Sequence, residues 1–368
     1  MLYILLALLL SSTSVFAAVD TAIKPPAYES RVMFDEDMHW ATSKEATDKI
    51  LIKIKSAGFN VYVPCVWHGG GALYPTNVAP VDRRLARRIF YREEDPLAYL
   101  IQRAHEMGIE VHPWFTVMRR ENDLFPKWRA TGTNEEAFDV HDSDFRKFIV
   151  DLMLDVVKRY PIDGVNLDYI RSMGFCTKDS CIDGYEKKFR NSLLADIQLR
   201  RLPLYKSDTL EHWNHDDVTD VVRKFSTVAK KLRPGLIVSI DANPLNPEIL
   251  LQGQDSIGWV EAGLIDVIFN MDYKKQVDVG LINRAKASLK KPSNLITMFS
   301  LYDLVDNQVV PRNPNMIAGY VTQTRRLWPK SGIAFYHYKQ LTEDQASVLR
   351  SGVFNEMAIP SWATPKNQ

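Results

Sequence analysis

The feature that most constrains the fold is an alternation of short apolar runs with amphipathic helical patterns along most of the chain. A helical pattern capped by Ser43 and ended by Gly58 is followed by an apolar run over Phe59–Pro64, and this succession recurs up to a final helical pattern over Glu343–Leu349. Strands that alternate with helices favour a parallel sheet covered by helices. Eight such units predict an α/β fold, the (β/α)8 TIM barrel.

Each predicted strand is a short, mainly apolar run. The predicted strands are Arg31–Phe34, Phe59–Pro64, Ile109–Phe115, Gly164–Asp168, Leu236–Ile240, Ile265–Asn270, Leu295–Phe299 and Ile333–Tyr336. The longest loop insertion is expected after the fourth strand, from Ser172 to about Asp217. A doubly wound open sheet is the alternative fold, but the chain lacks the G-x-G-x-x-G turn that is typical of dinucleotide-binding sheets.

The first residues have the pattern of an export signal. Leu2–Leu10 is an apolar run, and small residues follow it up to Ala17 and Ala18. This pattern predicts a signal peptide over residues 1–17, and the run is too short to span a bilayer. We therefore expect a secreted or periplasmic protein with an N-terminal extension over 18–30, a barrel over 31–354 and a C-terminal tail over 355–368.

Charge and composition exclude some classes of partner. The chain has 46 Lys and Arg against 45 Asp and Glu, and 46% of its residues are hydrophobic. This composition is typical of a folded globular protein, and its balanced charge offers no basic surface for nucleic acid or for an anionic membrane. No stable membrane span is expected, and the sequence does not indicate the oligomeric state.

The cysteines and histidines give little support for a metal site. Cys176 and Cys181 lie in a C-x4-C spacing that predicts a disulfide in an oxidising compartment, with free thiols as the alternative. His39, His68 and His112 come from adjacent strand ends, so a histidine metal site is an alternative. Because no short metal-ligand motif supports such a site, we expect neither a metal nor a cofactor.

Carboxylates at the ends of predicted strands are the candidate catalytic groups, because barrel enzymes carry their active residues there. Asp168 ends the fourth strand and is followed by Tyr169 and Arg171. It is either a structural partner of Arg171 or, as we favour, a nucleophile or charge stabiliser. Asp241 and Asp272, at the fifth and sixth strand ends, are the candidate general acids for cleavage of a glycosidic bond.

Aromatic and polar side chains at the same predicted edge are candidates for sugar binding, because aromatic rings stack on pyranose faces and polar groups bind hydroxyls. The candidate substrate-binding residues are Trp67, His68, His112, Trp114, Tyr169, Arg171, Asn243, Asn270, Tyr273 and Tyr338.

Several motifs resemble a known family when they are taken in order along the chain. They are ALYP at 72–75, DPL at 95–97, EVHPWF at 110–115, DGVNLDYIR at 163–171, WVEAGLIDV at 259–267 and MDY at 271–273. The chain resembles glycosyl hydrolase-like family 10, a group of bacterial TIM-barrel proteins, over roughly Arg31–Phe354. The resemblance implies activity on bacterial cell-wall or extracellular glycans.

The chain departs from the family pattern at Thr116, where the family often has Asn, and at Ser172 and Met173, which replace a Tyr-Pro pair. The fourth strand also resembles the chitinase motif, but Ile170 stands where that motif has its catalytic Glu, so substrate-assisted chemistry does not carry over.

The sequence thus predicts a secreted or periplasmic glycoside hydrolase that acts on a polysaccharide by carboxylate acid–base catalysis. The alternative is a non-catalytic glycan-binding protein on the same scaffold, since a fold alone does not determine activity. A carboxylate separation of about 5–5.5 Å is typical of retaining enzymes, and about 6.5–9.5 Å is typical of inverting ones.

Overall fold

The computed structural model describes residues 24–202 and 208–363. The predicted signal peptide over 1–17 lies outside the described residues, as do parts of the predicted N-terminal extension and C-terminal tail.

The central element is a closed parallel barrel. Its strands are β1 Arg31–Asp35, β2 Val61–Trp67, β3 Glu110–Val111, β4 Trp114–Thr116, β5 Gly164–Asp168, β6 Ile237–Ala242, β7 Val267–Asp272, β8 Leu295–Ser300 and β11 Ile333–Tyr336. Neighbouring strands pair in parallel, and β1 pairs with both β2 and β11. Because the first strand joins the last, the sheet has no open edge. The predicted TIM barrel is therefore confirmed, and the doubly wound alternative is wrong.

The third barrel position differs from the single strand that the sequence predicts. It consists of two short pieces, β3 and β4, separated by His112 and Pro113. Proline has no amide hydrogen to donate to a neighbouring strand, which explains the interruption. Both pieces pair with β2, with a register shift between Cys65 and Trp67.

Helices surround the barrel between successive strands. They are α1 Lys44–Ser56, α2 Ile89–Glu93, α3 Pro96–Glu106, α4 Ser143–Arg159, α5 Asp179–Phe189, α6 Leu193–Leu199, α7 Asp208–Leu232, α8 Pro247–Leu251, α9 Ser256–Glu261, α10 Val279–Ala287, α11 Pro314–Leu327 and α12 Glu343–Val348. Short 3-10 helices cover His39–Ala41, Pro126–Trp128, Pro292–Asn294 and Tyr338–Gln340, and a π-helical turn covers Leu349–Val353. The caps follow the sequence: Ser43 accepts a hydrogen bond at the start of α1, and Asp142 does so at α4.

One connection contains three helices, and another contains a hairpin as well as a helix. The chain forms α5, α6 and α7 between β5 and β6. Between β8 and α11 it forms an antiparallel hairpin that the sequence analysis did not predict, β9 Tyr302–Val305 and β10 Gln308–Pro311. Among the described residues, no helix has both the length and the apolar character needed to cross a bilayer.

The barrel has a hydrophobic core of two layers, and a separate small cluster packs among α5, α6 and α7. The larger layer packs the outward face of the strands against the helices, and the smaller layer fills the barrel. Inside the barrel, the ring of Phe34 makes edge-on contacts with Trp114 and Phe269 at 5.8 and 5.1 Å between centroids. These three rings fill the barrel interior, so the barrel is packed rather than open.

The segments next to the described ends close the amino end of the barrel. Tyr28 pairs with Ile359, and the hydroxyls of Ser30 and Ser361 lie 2.8 Å apart. Trp362 packs against the apolar interior cluster and donates its indole N–H to Glu110 at 2.8 Å. The opposite, carboxyl end remains accessible.

Candidate active site

A small pocket opens at the carboxyl end of the barrel. Its volume is about 140 Å³, and its lining comes from the ends of the strands. The lining residues are Glu36, Trp114, Asp168, Tyr169, Arg171, Asp241, Met271, Tyr273 and Tyr336. The structure thus brings together six residues that the sequence analysis proposed for the site, namely Trp114, Asp168, Tyr169, Arg171, Asp241 and Tyr273.

Two carboxyl groups in this pocket are buried and close enough to affect each other's ionisation. Asp168, the last residue of β5, accepts a hydrogen bond from the backbone N–H of Tyr169 at 2.6 Å. Asp241 lies on the adjacent strand β6, where Oδ1 accepts a hydrogen bond from Asn166 Nδ2 at 3.0 Å. Asn166 also donates to Ser239 Oγ at 3.1 Å, so its amide is held in place. A proton bound to Asp241 therefore resides on Oδ2.

The two carboxyls differ in acidity. Burial raises the pKa of Asp168 to about 6, although the amide of Tyr169 and the charge of Arg171 partly counteract burial. Burial, followed by the negative charge of Asp168, raises the pKa of Asp241 well above its usual value. Burial and the charge of Asp168 thus favour the protonated form of Asp241, while Asp168 is the more readily ionised of the two, as an acid and a charge stabiliser require.

Arg171 is not tied to Asp168 by a direct ion pair. Its guanidinium lies 3.9 Å from Glu135 and 4.9 Å from the ring centroid of Tyr169. Arg119 approaches the same ring at 5.4 Å, so Tyr169 lies between two cations. The proposed structural pairing of Asp168 with Arg171 is therefore not the contact that holds either side chain.

A second, fully charged cluster borders the pocket. His68 lies between Glu36 and Glu121, with nitrogen–oxygen distances of 2.8 and 2.6 Å. Burial alone would lower the pKa of His68, but hydrogen bonds to Glu121 and Glu36 outweigh burial and raise it to about 9. His68 is therefore an imidazolium at neutral pH. Arg119 adds a second positive charge, 3.2 Å from Glu121.

Glu36 connects this cluster to the pocket. Burial disfavours its ionised form, but hydrogen bonds from His68 and from the hydroxyl of Tyr336 outweigh burial and lower its pKa to about 2. Glu36 thus stays ionised and keeps acceptor capacity beside Asp168.

Aromatic rings form one side of the pocket. Tyr273 and Tyr336 stack with 5.4 Å between their centroids, and Trp114 meets Tyr336 edge-on at 6.5 Å. Such a surface suits the apolar face of a sugar ring.

Side-chain alternation keeps two of the predicted residues out of the pocket. Along β7, Val267, Phe269 and Met271 face the barrel interior, so Asn270 and Asp272 face the surrounding helices. The carboxylate of Asp272 instead accepts the backbone N–H of Asp278 at 3.0 Å. This placement favours Asp241 over Asp272 as the general acid.

Four more of the proposed residues lie away from the pocket lining. Trp67 is fully buried and packs edge-on against Phe148. His112 is buried lower in the barrel, beside Gly164, with Nε2 3.3 Å from Glu110. Asn243 begins the loop after β6, where its carbonyl accepts the N–H of Asn246. Tyr338 belongs to the 3-10 helix after β11, with the ammonium of Lys53 5.9 Å from its ring.

The sequence analysis missed Glu36 and Tyr336. Glu36 stands in the acidic run after β1 and Tyr336 is the last residue of β11, so their positions at strand ends were the available signal. The run also contains Asp35 and Asp37, and only the register of β1 shows which carboxylate faces the pocket.

Cys176 and Cys181 form a disulfide in the structure, and Cys65 is a buried free thiol. In the described part of the chain, Asp139 with these two cysteines is the one group whose ligand atoms converge as a metal site would need. A disulfide leaves no thiolate to bind a metal, so the arrangement fits a structural bridge better than a metal centre.

The chain is similar in sequence to curated glycosyl hydrolases. The chain is 23% identical to the glycosyl hydrolase DigH of Escherichia coli K12 over 256 residues, which are 58% of this chain and 54% of DigH. It is 23% identical to the glycosyl hydrolase YngK of Bacillus subtilis over 52% of this chain and 38% of YngK. The aligned region thus spans about half or less of these curated relatives.

Solved structures share the fold at lower identity. The glycoside hydrolase domain of PgaB (BpsB) from Bordetella bronchiseptica matches with a TM-score of 0.62 at 13% identity, covering 89% of this chain and 99% of that domain. The α-L-fucosidase isoenzyme 2 of Paenibacillus thiaminolyticus matches with a TM-score of 0.59 at 15% identity. The match covers 89% of this chain and 49% of the fucosidase chain. The family described as glycosyl hydrolase-like 10 matches residues 32–314. With this match over most of its length and a barrel shared with glycoside hydrolases, the chain belongs to the glycosyl hydrolase-like 10 family.

Proposed function

We propose that this protein is a secreted or periplasmic glycoside hydrolase that cleaves O-glycosidic bonds in a bacterial cell-wall or extracellular polysaccharide. The observation that carries the proposal is that two buried carboxyls, Asp168 and Asp241, line the same pocket at the ends of adjacent strands. Glycosidases use such a pair to protonate the leaving oxygen and to stabilise the cationic sugar.

Asp241 is the proposed general acid. Its proton passes from Oδ2 to the glycosidic oxygen as the bond between that oxygen and the anomeric carbon breaks. Asp168 supplies the negative charge that stabilises the electron-poor anomeric carbon. Water then adds its hydroxyl to this carbon, and the remaining proton returns to Asp241, which restores the starting state.

The other pocket residues have binding roles in this proposal. Trp114, Tyr273 and Tyr336 offer ring faces and edges for a pyranose, and the ionised Glu36 accepts hydrogen bonds from sugar hydroxyls. The glycosyl hydrolase names of the relatives support a carbohydrate substrate, and the apolar N-terminal run supports export.

The test is a screen of the purified protein against bacterial cell-wall glycans and exopolysaccharides, with products detected by mass spectrometry. We expect fragments that gain one water per cleavage. An Asp168→Asn/Asp241→Asn double variant is the control for contaminating activity. Binding of a glycan whose mass never changes would overturn the hydrolase proposal in favour of a binding protein.

A further inference from the structure

The hairpin formed by β9 and β10 stands beside the active-site pocket on a rigid base. Arg312, just after β10, donates to Asp303 at 3.0 Å, to the hydroxyl of Tyr320 at 3.0 Å and to the carbonyl of the pocket residue Tyr273. Gln345 bridges the two ends of the hairpin by donating to the carbonyls of Leu301 and Arg312, each at 2.9 Å. The hairpin is thus fixed to the pocket wall.

The tip of the hairpin is equally well defined. Asp306 and Asn307 form its two-residue connection, and both have positive φ, at 50° and 61°. Positive φ at both central residues is characteristic of a type I′ turn, which matches the twist of the two strands. The register pairs Leu304 with Val309 and Asp303 with Val310.

One face of the hairpin lines a second cavity. Tyr302, Leu304 and Val309 border a space of about 360 Å³, and Leu304 is 67% exposed. This space is within the size range of small-molecule sites.

Glu36 and Tyr336 line both this cavity and the active-site pocket, so the two spaces adjoin. The other face of the hairpin carries Val305 and Val310, which border neither space.

The rest of the cavity lining is mainly polar and charged. It includes Glu36, His68, Arg84 and Glu121. An occupant that fits both walls must be apolar on one face and rich in hydrogen-bonding groups on the other. A pyranose ring has this character, because its C–H groups form apolar faces while its hydroxyls project from the edges. An apolar peptide or lipid would displace water from the charged wall without supplying hydrogen-bonding groups in its place.

Resting on the proposed function, we infer that the cavity under the β9–β10 hairpin binds a second sugar unit of the polysaccharide, with Leu304 and Val309 packed against its apolar face. The rigid base reduces the conformational entropy that binding would cost. The site therefore selects chains of at least two units over single sugars.

The test compares two double variants of the same hairpin. Leu304→Thr/Val309→Thr alters the cavity face, and Val305→Thr/Val310→Thr alters the opposite face at similar exposure. Threonine preserves the preference for a β-strand, so both variants should fold, which circular dichroism and the melting temperature will verify. All binding is measured in an Asp168→Asn background, in which the oligosaccharides are not consumed.

The probes are oligosaccharides of two to eight units, made by partial acid hydrolysis of bacterial cell-wall glycan and of exopolysaccharide, with single-sugar nitrophenyl glycosides for comparison. We expect the cavity-face variant to bind the oligosaccharides about fivefold more weakly and the single sugars unchanged, while the opposite-face variant matches the parent. Equal binding by both variants, or no preference of the parent for longer chains, would overturn the inference. Hydrolysis is measured separately in protein that retains Asp168. If hydrolysis occurs but both hairpin variants bind equally, only the inference about the hairpin fails. If no glycan is hydrolysed, the hydrolase proposal fails.

Discussion

Both ends of the barrel bury ionisable side chains, but the hydrogen-bond partners of these side chains differ between the two ends. At the amino end, Glu29 accepts hydrogen bonds from Arg31 and from two nitrogens of Arg325, all at 2.7 Å. At the carboxyl end, Asp241 receives a side-chain hydrogen bond only from the neutral amide of Asn166 among the described residues. Breaking the paired charges at the amino end would destabilise the fold, whereas Asp168 and Asp241, which have no direct cation partner, stay available to exchange protons.

The largest expected effect is a loss of turnover caused by a substitution at the carboxyl end of the barrel. Asp168→Asn should lower turnover by about a thousandfold or more, because the amide cannot carry the charge that the transition state requires. Burial raises the pKa of Asp168 to about 6, so the folded state binds this proton more tightly than the unfolded chain does, and stability falls as pH rises through about 4 to 6. Removing the charge should therefore leave the melting temperature at pH 7 unchanged or higher.

Turnover, oligosaccharide affinity and melting temperature are measured on one preparation of the Asp168→Asn variant. A strongly lowered melting temperature with retained turnover per folded molecule would show that Asp168 has only a structural role.

The opposite result is expected at the amino end. Glu29→Gln keeps the shape of the side chain but leaves Arg31 and Arg325 without their shared counter-charge. We expect a loss of about 3–5 kcal/mol in the free energy of unfolding, with turnover per folded molecule unchanged. Glu94→Gln removes an exposed partner of Lys44 and is the matched control, expected to leave the free energy of unfolding nearly unchanged. Equal losses in the two variants would contradict the assigned role of the buried cluster.

The charged cluster of His68, Glu36 and Glu121 should make the free energy of unfolding decrease at alkaline pH. The folded pKa of His68 is raised to about 9 from an ordinary value of 6.5, so its contribution is complete below pH 6.5 and is lost as pH rises through about 9. The loss should be on the order of 3 kcal/mol at most. Urea unfolding between pH 6 and 10 measures it, and His68→Gln should flatten this part of the profile. An identical pH dependence in the variant would assign the loss to other groups.

The smallest expected effect is on the free energy of unfolding, and it concerns the disulfide after β5. Cys176→Ser/Cys181→Ser should cost about 2 kcal/mol, because the closed loop is short. Peptide mapping without reductant, on protein exported to an oxidising compartment, should recover the two cysteines as one linked peptide and Cys65 as a free thiol. Recovery of Cys176 and Cys181 as free thiols would rule out the bridge in the exported protein.

The barrel could be predicted from the sequence because each strand and helix carries its own pattern of apolar residues. The site could be predicted in part: Asp168 and Asp241 both end up in one pocket because parallel strands bring their carboxyl ends together. Asp272 shows the limit of this reasoning. A shift of one residue turns a side chain to the other face of a strand, and the sequence alone did not show that Met271 rather than Asp272 faces inward.

The hairpin was missed for a different reason. Its two apolar runs are joined by Asp306-Asn307, a weaker turn signal than Asn-Gly or Asp-Gly. Pro113 likewise interrupts a run that otherwise has the pattern of one strand. In both places local backbone chemistry, rather than the overall apolar pattern, determined the outcome.

The hydrogen bond between Glu36 and Tyr336 has a consequence for how the protein becomes functional. These residues are 300 positions apart, and they meet where β1, the first strand, pairs with β11, the last. A chain that has formed only its first strands lacks Tyr336 as a partner for Glu36 and has no complete pocket. Contacts between distant residues form slowly because a long loop must first be closed. Catalytic competence should therefore appear late during refolding, after most helical circular dichroism has returned, so that recovered activity reports closure of the whole barrel.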